Sequence, residues 1–191
     1  MSQTGLAYSR SEYESMRYRR LLEIAAEMVR SQTGVATDKL VESFSAQPGY
    51  ATVKVDVRGA VVKESMILLV RERVDNRWSM PGGWADVGEH PSEMVSREVR
   101  EESGLIVRPV KLIGLYDSDR AEVHPSFYHT YKIIFLCEIL GGELETGDET
   151  TDAGFFSFDD LPPLSGYRTT KRHLVDIMSH IRNPSMPSSF D

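Results

Sequence analysis

The chain has 191 residues, enough for one domain with an appendage or for two small domains, and its 29 acidic against 22 basic residues leave a net charge of −7. Forty per cent hydrophobic and 27% charged residues exclude wholesale disorder and collagen-like repeats. The longest apolar runs, Met66 to Val70 and Ile133 to Cys137, fall far short of the roughly 20 residues a membrane span needs, so no membrane partner is expected.

The single cysteine, Cys137, forbids an intramolecular disulfide and fits a reducing compartment. With no charged-then-apolar leader at the N-terminus, the expected location is the cytoplasm. A net-acidic chain binds nucleic acid poorly, so a nucleic-acid partner is not expected.

Residues 10–32 read as a helix. Ser11 followed by Glu14 is a capping-box signal, and Leu21, Ile24, Ala25, Met28 and Val29 recur at helical spacing. A second short helix is predicted from Thr37 to Ser45, ended by Pro48-Gly49. The predicted division is a helical extension over 1–48, a main domain over 49–182 and a loose tail over 183–191. A helical hairpin of this size cannot bury its apolar stripe alone, so it is expected to pack on the main domain or on another subunit, the latter as a homodimer through the N-terminal helices.

Beyond Gly49 the texture is that of strands. Val53, Val55 and Val57 alternate with polar residues, and Met66 to Val70 is a buried run. A strand enters the glycine loop Pro81-Gly82-Gly83, and a helix is predicted over 91–103, with Pro91 at its start and Gly104 at its end. Strands are expected near 106–117 and 127–139, then a turn at Gly141-Gly142. A short strand over 153–158 and a helix over 169–181 complete the chain. Many short strands and few helices without regular alternation indicate the α+β class.

The acids are unevenly spread: residues 83–104 hold six acids and two arginines, and residues 143–160 hold seven acids and no base. On the 91–103 helix, Glu98, Glu101 and Glu102 fall within an arc of about 100°. Three carboxylates on one face repel one another unless cations neutralise them. An oxygen-only donor set without a Cys/His cluster suits Mg²⁺ or Mn²⁺ rather than zinc.

The spacing is Gly83, five residues, Glu89, seven residues, then Arg97-Glu98-Val99-Arg100-Glu101-Glu102-Ser103-Gly104-Leu105. It resembles the signature of the Nudix hydrolase family, and the lead-in Pro81-Gly82-Gly83-Trp84 is similar to that family as well. The resemblance spans roughly residues 50–165. It implies an α/β/α sandwich with a mixed sheet, and hydrolysis of a nucleoside diphosphate linked to another moiety, assisted by Mg²⁺ or Mn²⁺. By position in the motif, Glu101 and Glu102 correspond to metal ligands, Glu98 to a ligand or general base, and the Gly82 carbonyl to a further ligand. Arg97 corresponds to the residue that orients a glutamate, here Glu89 or Glu98. Many relatives take another acid from a distant loop; Glu149 is the first choice for it and Asp152 the second.

A narrower resemblance rests on Gln3 to Tyr8 with Tyr18 to Met28, on His124 to His129 and on Asp160 to Ser165. It points to a subgroup with a helical N-terminal extension used for dimer contacts, whose members act on ADP-ribose and on CDP-choline. ADP-ribose is the first expected substrate and CDP-choline the second. RNA 5′-pyrophosphate removal or exonuclease action, and a non-catalytic ligand sensor, are the alternatives. Further substrate-binding candidates are Arg71, Tyr128, His129 and His124, with Arg73 beside Arg71. Trp78, Trp84 and Cys137 read as packing residues first.

Overall fold

The computed structural model describes residues 1–46, 49–118 and 129–191. The chain divides into two compact units, Met1–Thr52 and Val53–Asp191.

In the first unit α1 (Ser2–Tyr8), α2 (Glu12–Thr33) and α3 (Thr37–Ser45) follow one another. Ser11 caps α2 by accepting from the Glu14 amide at 3.2 Å, and Gly34 ends it in the left-handed region. α1 is an addition to the expected elements. It is seven residues long, has no side-chain cap and carries a central glycine, so it gives no periodic signal. Gly5 is needed there: a Cβ would lie 2.3 Å from the Tyr18 ring, so its absence lets α1 sit against α2. The core of this unit is small, Leu22, Ala26 and Leu40. Leu21, Ile24 and Met28 remain exposed along α2.

The second unit is a mixed sheet between two helices. Its strands are β1 (Lys54–Lys63), β2 (Met66–Glu72), β3 (Trp78–Ser79), β4 (Gly82–Trp84), β5 (Leu105–Asp117), β6 (Thr130–Gly142), β7 (Thr150–Ser157) and β8 (Ser189–Phe190). The main path runs β3-β2-β1-β6-β5-β8, with β4 on β1 and β7 on β2. β1·β6 and β5·β8 are parallel and the other pairs antiparallel.

The strand period of two sorts side chains to opposite faces. Val57, Val61, Leu68 and Cys137 pack under α4 (Pro91–Ser103) with its Met94, Val95 and Val99. Ala60, Ile67, Leu69 and Ile134 pack on the other face with Leu174 and Ile177 of α5 (Lys171–Arg182). This α/β/α layering is the α+β architecture expected from the sequence.

Two expectations are corrected. Gly141 and Gly142 are the last residues of β6, opposite Ile106 and Leu105, rather than a free turn; the positive φ of Gly142 (88°) is absorbed inside the ladder. The tail 183–191 is not loose. Lys111 Nζ donates to the carbonyls of Pro184 and Met186, β8 pairs with Gly114 and Leu115, and Asp191 pairs with Arg172. Its prolines and serines mask these long-range partners in the sequence.

Candidate active site

The site grows from the junction of β4 and α4. Gly82 has φ +141°, and a Cβ there would lie 2.0 Å from the Val57 carbonyl oxygen, so only glycine lets β4 approach β1. Its amide donates to Glu102 Oε2 at 3.0 Å. At the far end of α4, Gly104 terminates the helix in the left-handed region at φ +74°. The helix thus presents its acidic face to the glycine loop, and Met94, Val95 and Val99, within and beside the acidic arc, anchor it on the core.

The three glutamates differ in exposure. Glu102 is buried, Glu98 is mostly covered and Glu101 is open, its side chain 58% exposed. Burial pushes the Glu102 carboxyl up to about 8, against the opposing pull of Arg58 and of the Gly82 amide. Burial also raises Glu98, with Arg97 opposing.

Arg97 bridges the acids. It donates to both oxygens of Glu89 at 2.9 and 2.8 Å, and to Glu98 and Glu101 at 2.9 Å each. Hydrogen bonds from Arg97 hold Glu89 below the usual carboxylate range. Both partners expected for Arg97 are therefore present, and Glu101 is a third.

Glu98, Glu101, Glu102 and Glu149 line one cavity of about 740 Å³ with Gly83 and Trp84. Glu149 arrives from the turn before β7. Arg73 pins that turn, its amide donating to the Glu149 carbonyl at 3.0 Å and its guanidinium to the carbonyls of Asp148 and Thr150. Asp152 stands elsewhere, opposite Arg71 in the β2·β7 ladder and beside Leu144 and Glu145.

A second cavity of about 220 Å³ adjoins the first. Arg58 donates to Asp56 at 2.9 Å and to the Met80 carbonyl at 3.0 Å, and lies 3.7 Å from Glu72. Lys132 pairs with Asp56, and Arg168 lies 3.3 Å from Glu72. Burial alone would raise Asp56, but Arg58 and Lys132 hold its carboxyl below the usual range. The sequence reading missed this network. Its signal is a charged side chain at alternate positions of an apolar strand: Asp56 and Arg58 in β1, Lys132 in β6.

Of the other candidates, Arg71 lines none of these cavities, and its buried Nε has no partner among the described residues. The cations that line the ion-paired cavity are instead Arg58, Lys132 and Arg168. His129 bonds Asp117 at 3.1 Å and stands edge-on to Tyr131, away from the acidic cavity. His124 and Tyr128 lie outside the described residues. Trp78 packs on Phe156 at 4.6 Å, as a packing residue should, whereas Trp84 is 54% exposed at the rim of both cavities.

A mixed sheet between two helices, with an acidic helix facing a glycine loop, is the arrangement that the Nudix resemblance implied. A family model described as the NUDIX domain matches residues 53–176, and one described as a UDP-X-like, N-terminal oligomerisation domain matches residues 1–44. The chain belongs to the NUDIX family. It is similar over its whole length to a Bacillus subtilis (strain 168) protein named "Putative ADP-ribose pyrophosphatase YjhB", at 40% identity and covering 92% of that protein. A crystal structure of an ADP-ribose pyrophosphatase from Streptococcus suis 89-1591 matches 73% of this chain and all of its own, at 38% identity and TM-score 0.68. A crystal structure of UDP-X diphosphatase matches all of this chain and 92% of its own, at 28% identity and TM-score 0.69.

Proposed function

We propose that this protein is a divalent-cation-dependent pyrophosphohydrolase of a nucleoside diphosphate linked to a second moiety, with ADP-ribose its first substrate. The observation that carries the reading is the gathering of Glu98, Glu101, Glu102 and Glu149 around one cavity. Two of these acids, Glu98 and Glu102, are raised by burial, which marks carboxylates short of positive charge.

The donor set fits a hard cation in its chemistry: oxygen atoms only, on one helix face, beside a close-approach backbone. Among the described residues no three such side chains already converge as a metal-holding group, and Arg97 donates to both Glu98 and Glu101. Glu98, Glu101 and Glu102, with the Gly82 carbonyl, would hold Mg²⁺ or Mn²⁺, and Arg97 would orient Glu98 and Glu101 toward it. Bound there, the cation would offset the charge of a diphosphate and make a coordinated water more acidic.

The chain's own groups supply the rest. The Gly82 amide fixes one oxygen of Glu102, and Arg97 holds Glu98 against Glu89. Glu149, on a turn pinned by Arg73 and without a cation partner among the described residues, accepts a proton from the attacking water. Water adds to one phosphorus, the anhydride P–O bond breaks, and AMP and ribose 5-phosphate leave.

ADP-ribose is chosen because two of the relatives are named for it. The likeness to a UDP-X diphosphatase keeps a UDP-linked substrate as the second reading, ahead of CDP-choline. No described helix is long and apolar enough to cross a membrane, and a lone buried cysteine suits the cytoplasm. The test offers ADP-ribose, CDP-choline, a UDP-sugar and 5′-triphosphate RNA, each with Mg²⁺, Mn²⁺ or a chelator. Metal-dependent turnover of ADP-ribose above the others supports the reading; preference for the RNA, or turnover unaffected by the chelator, overturns it.

A further inference from the structure

The acidic cavity is one end of a longer groove. Gly83, Trp84, Glu102 and Glu149 line both it and the ion-paired cavity. Ser118, Lys132, Gly166 and Tyr167 line both the ion-paired cavity and a third one of about 800 Å³. Three compartments therefore follow in a fixed order.

Their chemistry changes along that order. The first is walled by carboxylates. In the second, Arg58, Lys132 and Arg168 are already engaged by Asp56, Glu72 and Asp75, so the cavity offers hydrogen-bonding groups without surplus positive charge for a phosphate. At about 220 Å³ it is also below the roughly 300–1,000 Å³ of a site for a whole small ligand. The third is walled by the Leu161-Pro162-Pro163-Leu164 loop, Tyr116 and Tyr167. Lys171 and Arg172 line it as well, Arg172 being held by Asp191.

A nucleoside diphosphate carries the same sequence of groups: an anionic diphosphate, a hydroxyl-rich sugar, then a flat base with apolar faces. We propose that the nucleoside half of the substrate lies along this groove. Its diphosphate faces the acidic helix, its ribose occupies the ion-paired cavity bordered by Trp84 and Tyr167, and its base enters the third cavity against Tyr167 and the Leu161–Leu164 loop. Tyr167 is 46% exposed and lines both inner compartments, so it is positioned to meet the base face. The inference rests on the reading of the substrate as a nucleoside diphosphate linked to a second moiety.

The two products of ADP-ribose hydrolysis separate the halves, because AMP carries a base and ribose 5-phosphate does not. Titration calorimetry with Mg²⁺ would compare AMP, CMP and UMP with ribose 5-phosphate, on the wild type, Tyr167→Ala and Tyr167→Phe. At least one nucleotide should bind the wild type tenfold or more tightly than ribose 5-phosphate. Tyr167→Ala should weaken that nucleotide by about 5- to 100-fold, the range for loss of base stacking, and leave ribose 5-phosphate within twofold. Tyr167→Phe should stay near wild type. Equal binding of nucleotide and sugar phosphate, equal weakening of both by Tyr167→Ala, or no nucleotide binding at all would overturn the proposal. Nucleotide preference without ADP-ribose turnover would sink the substrate reading alone; turnover without nucleotide preference would sink this inference alone.

Discussion

At the scale of single residues, the acidic helix is governed by one arginine. Arg97 contacts Glu89, Glu98 and Glu101 at once, and hydrogen bonding to Glu89 is the largest of the influences that raise its own pKa. Its side chain is one-third exposed, and we propose that it orients carboxylates rather than stabilising the fold. Arg97→Ala is expected to raise the Mg²⁺ concentration for half-maximal activity by about 10- to 100-fold, the usual cost of losing a group that orients metal ligands. Arg97→Lys should recover part of it. A purely structural role would instead lower the melting temperature and leave the metal dependence unmoved.

His173 gives a second residue-scale expectation. Burial pushes its imidazole down to about 3, with Lys132 adding to the effect, and its Nδ1 accepts from the Thr170 amide. The unfolded side chain titrates near 6.5. Between about pH 6.5 and 3 the unfolded state therefore binds a proton that the folded state refuses, and stability falls as the pH falls. The contribution is at most about 1.4 kcal/mol per pH unit. Glu102 acts in the opposite sense above pH 4.5 in the metal-free protein, because its folded pKa is raised. The comparison is thus wild type against His173→Gln, by urea unfolding at pH 7 and pH 5. Wild type should lose more stability than the variant, and identical losses would reject the assignment.

At the scale of elements, the helix α4 was legible to the residue, because Pro91 and Gly104 bracket it and the apolar spacing of Met94, Val95 and Val99 is unambiguous. The acidic half of the candidate site followed from that helix and the preceding glycines. The ion-paired half did not. Asp56, Arg58 and Lys132 sit in strands whose alternation fixes which face they occupy but not which neighbouring strand stands opposite. The parallel β1·β6 pairing that sets Asp56 beside Lys132 joins residues 76 positions apart. The tail escaped for a related reason: β8 has two residues and pairs with β5, while Asp191 beyond it meets Arg172 of α5. Truncation after Met186 removes β8 and the Asp191–Arg172 pair. It should lower the melting temperature by several degrees, since about 1 kcal/mol corresponds to 2–4 °C in a protein of this size. An unchanged midpoint would mean that these contacts contribute nothing.

At the scale of the whole molecule, the first unit has too small a core for its apolar content. Leu21, Ile24 and Met28 lie at helical spacing on α2, with exposures of 50%, 38% and 67%. Residues 1–44 match a model described by oligomerisation, which supports a second copy of this chain as the cover for that stripe. We propose a homodimer through these helices. Light scattering should give twice the chain mass of 21.6 kDa for the wild type and the single mass for a Leu21→Lys, Met28→Lys double variant. A monomeric wild type at working concentration would end the proposal.

We propose that the acids around the α4 cavity carry a metal-dependent cleavage of a nucleoside diphosphate linkage. The most direct test follows AMP and ribose 5-phosphate released from ADP-ribose in Mg²⁺, by the wild type and by Glu102→Gln. The wild type should release the two products in equal amounts and stop on addition of chelator, while Glu102→Gln, folded by circular dichroism, should be slower by about two to four orders of magnitude. Full activity in Glu102→Gln, or equal turnover with the metal removed, would contradict the account.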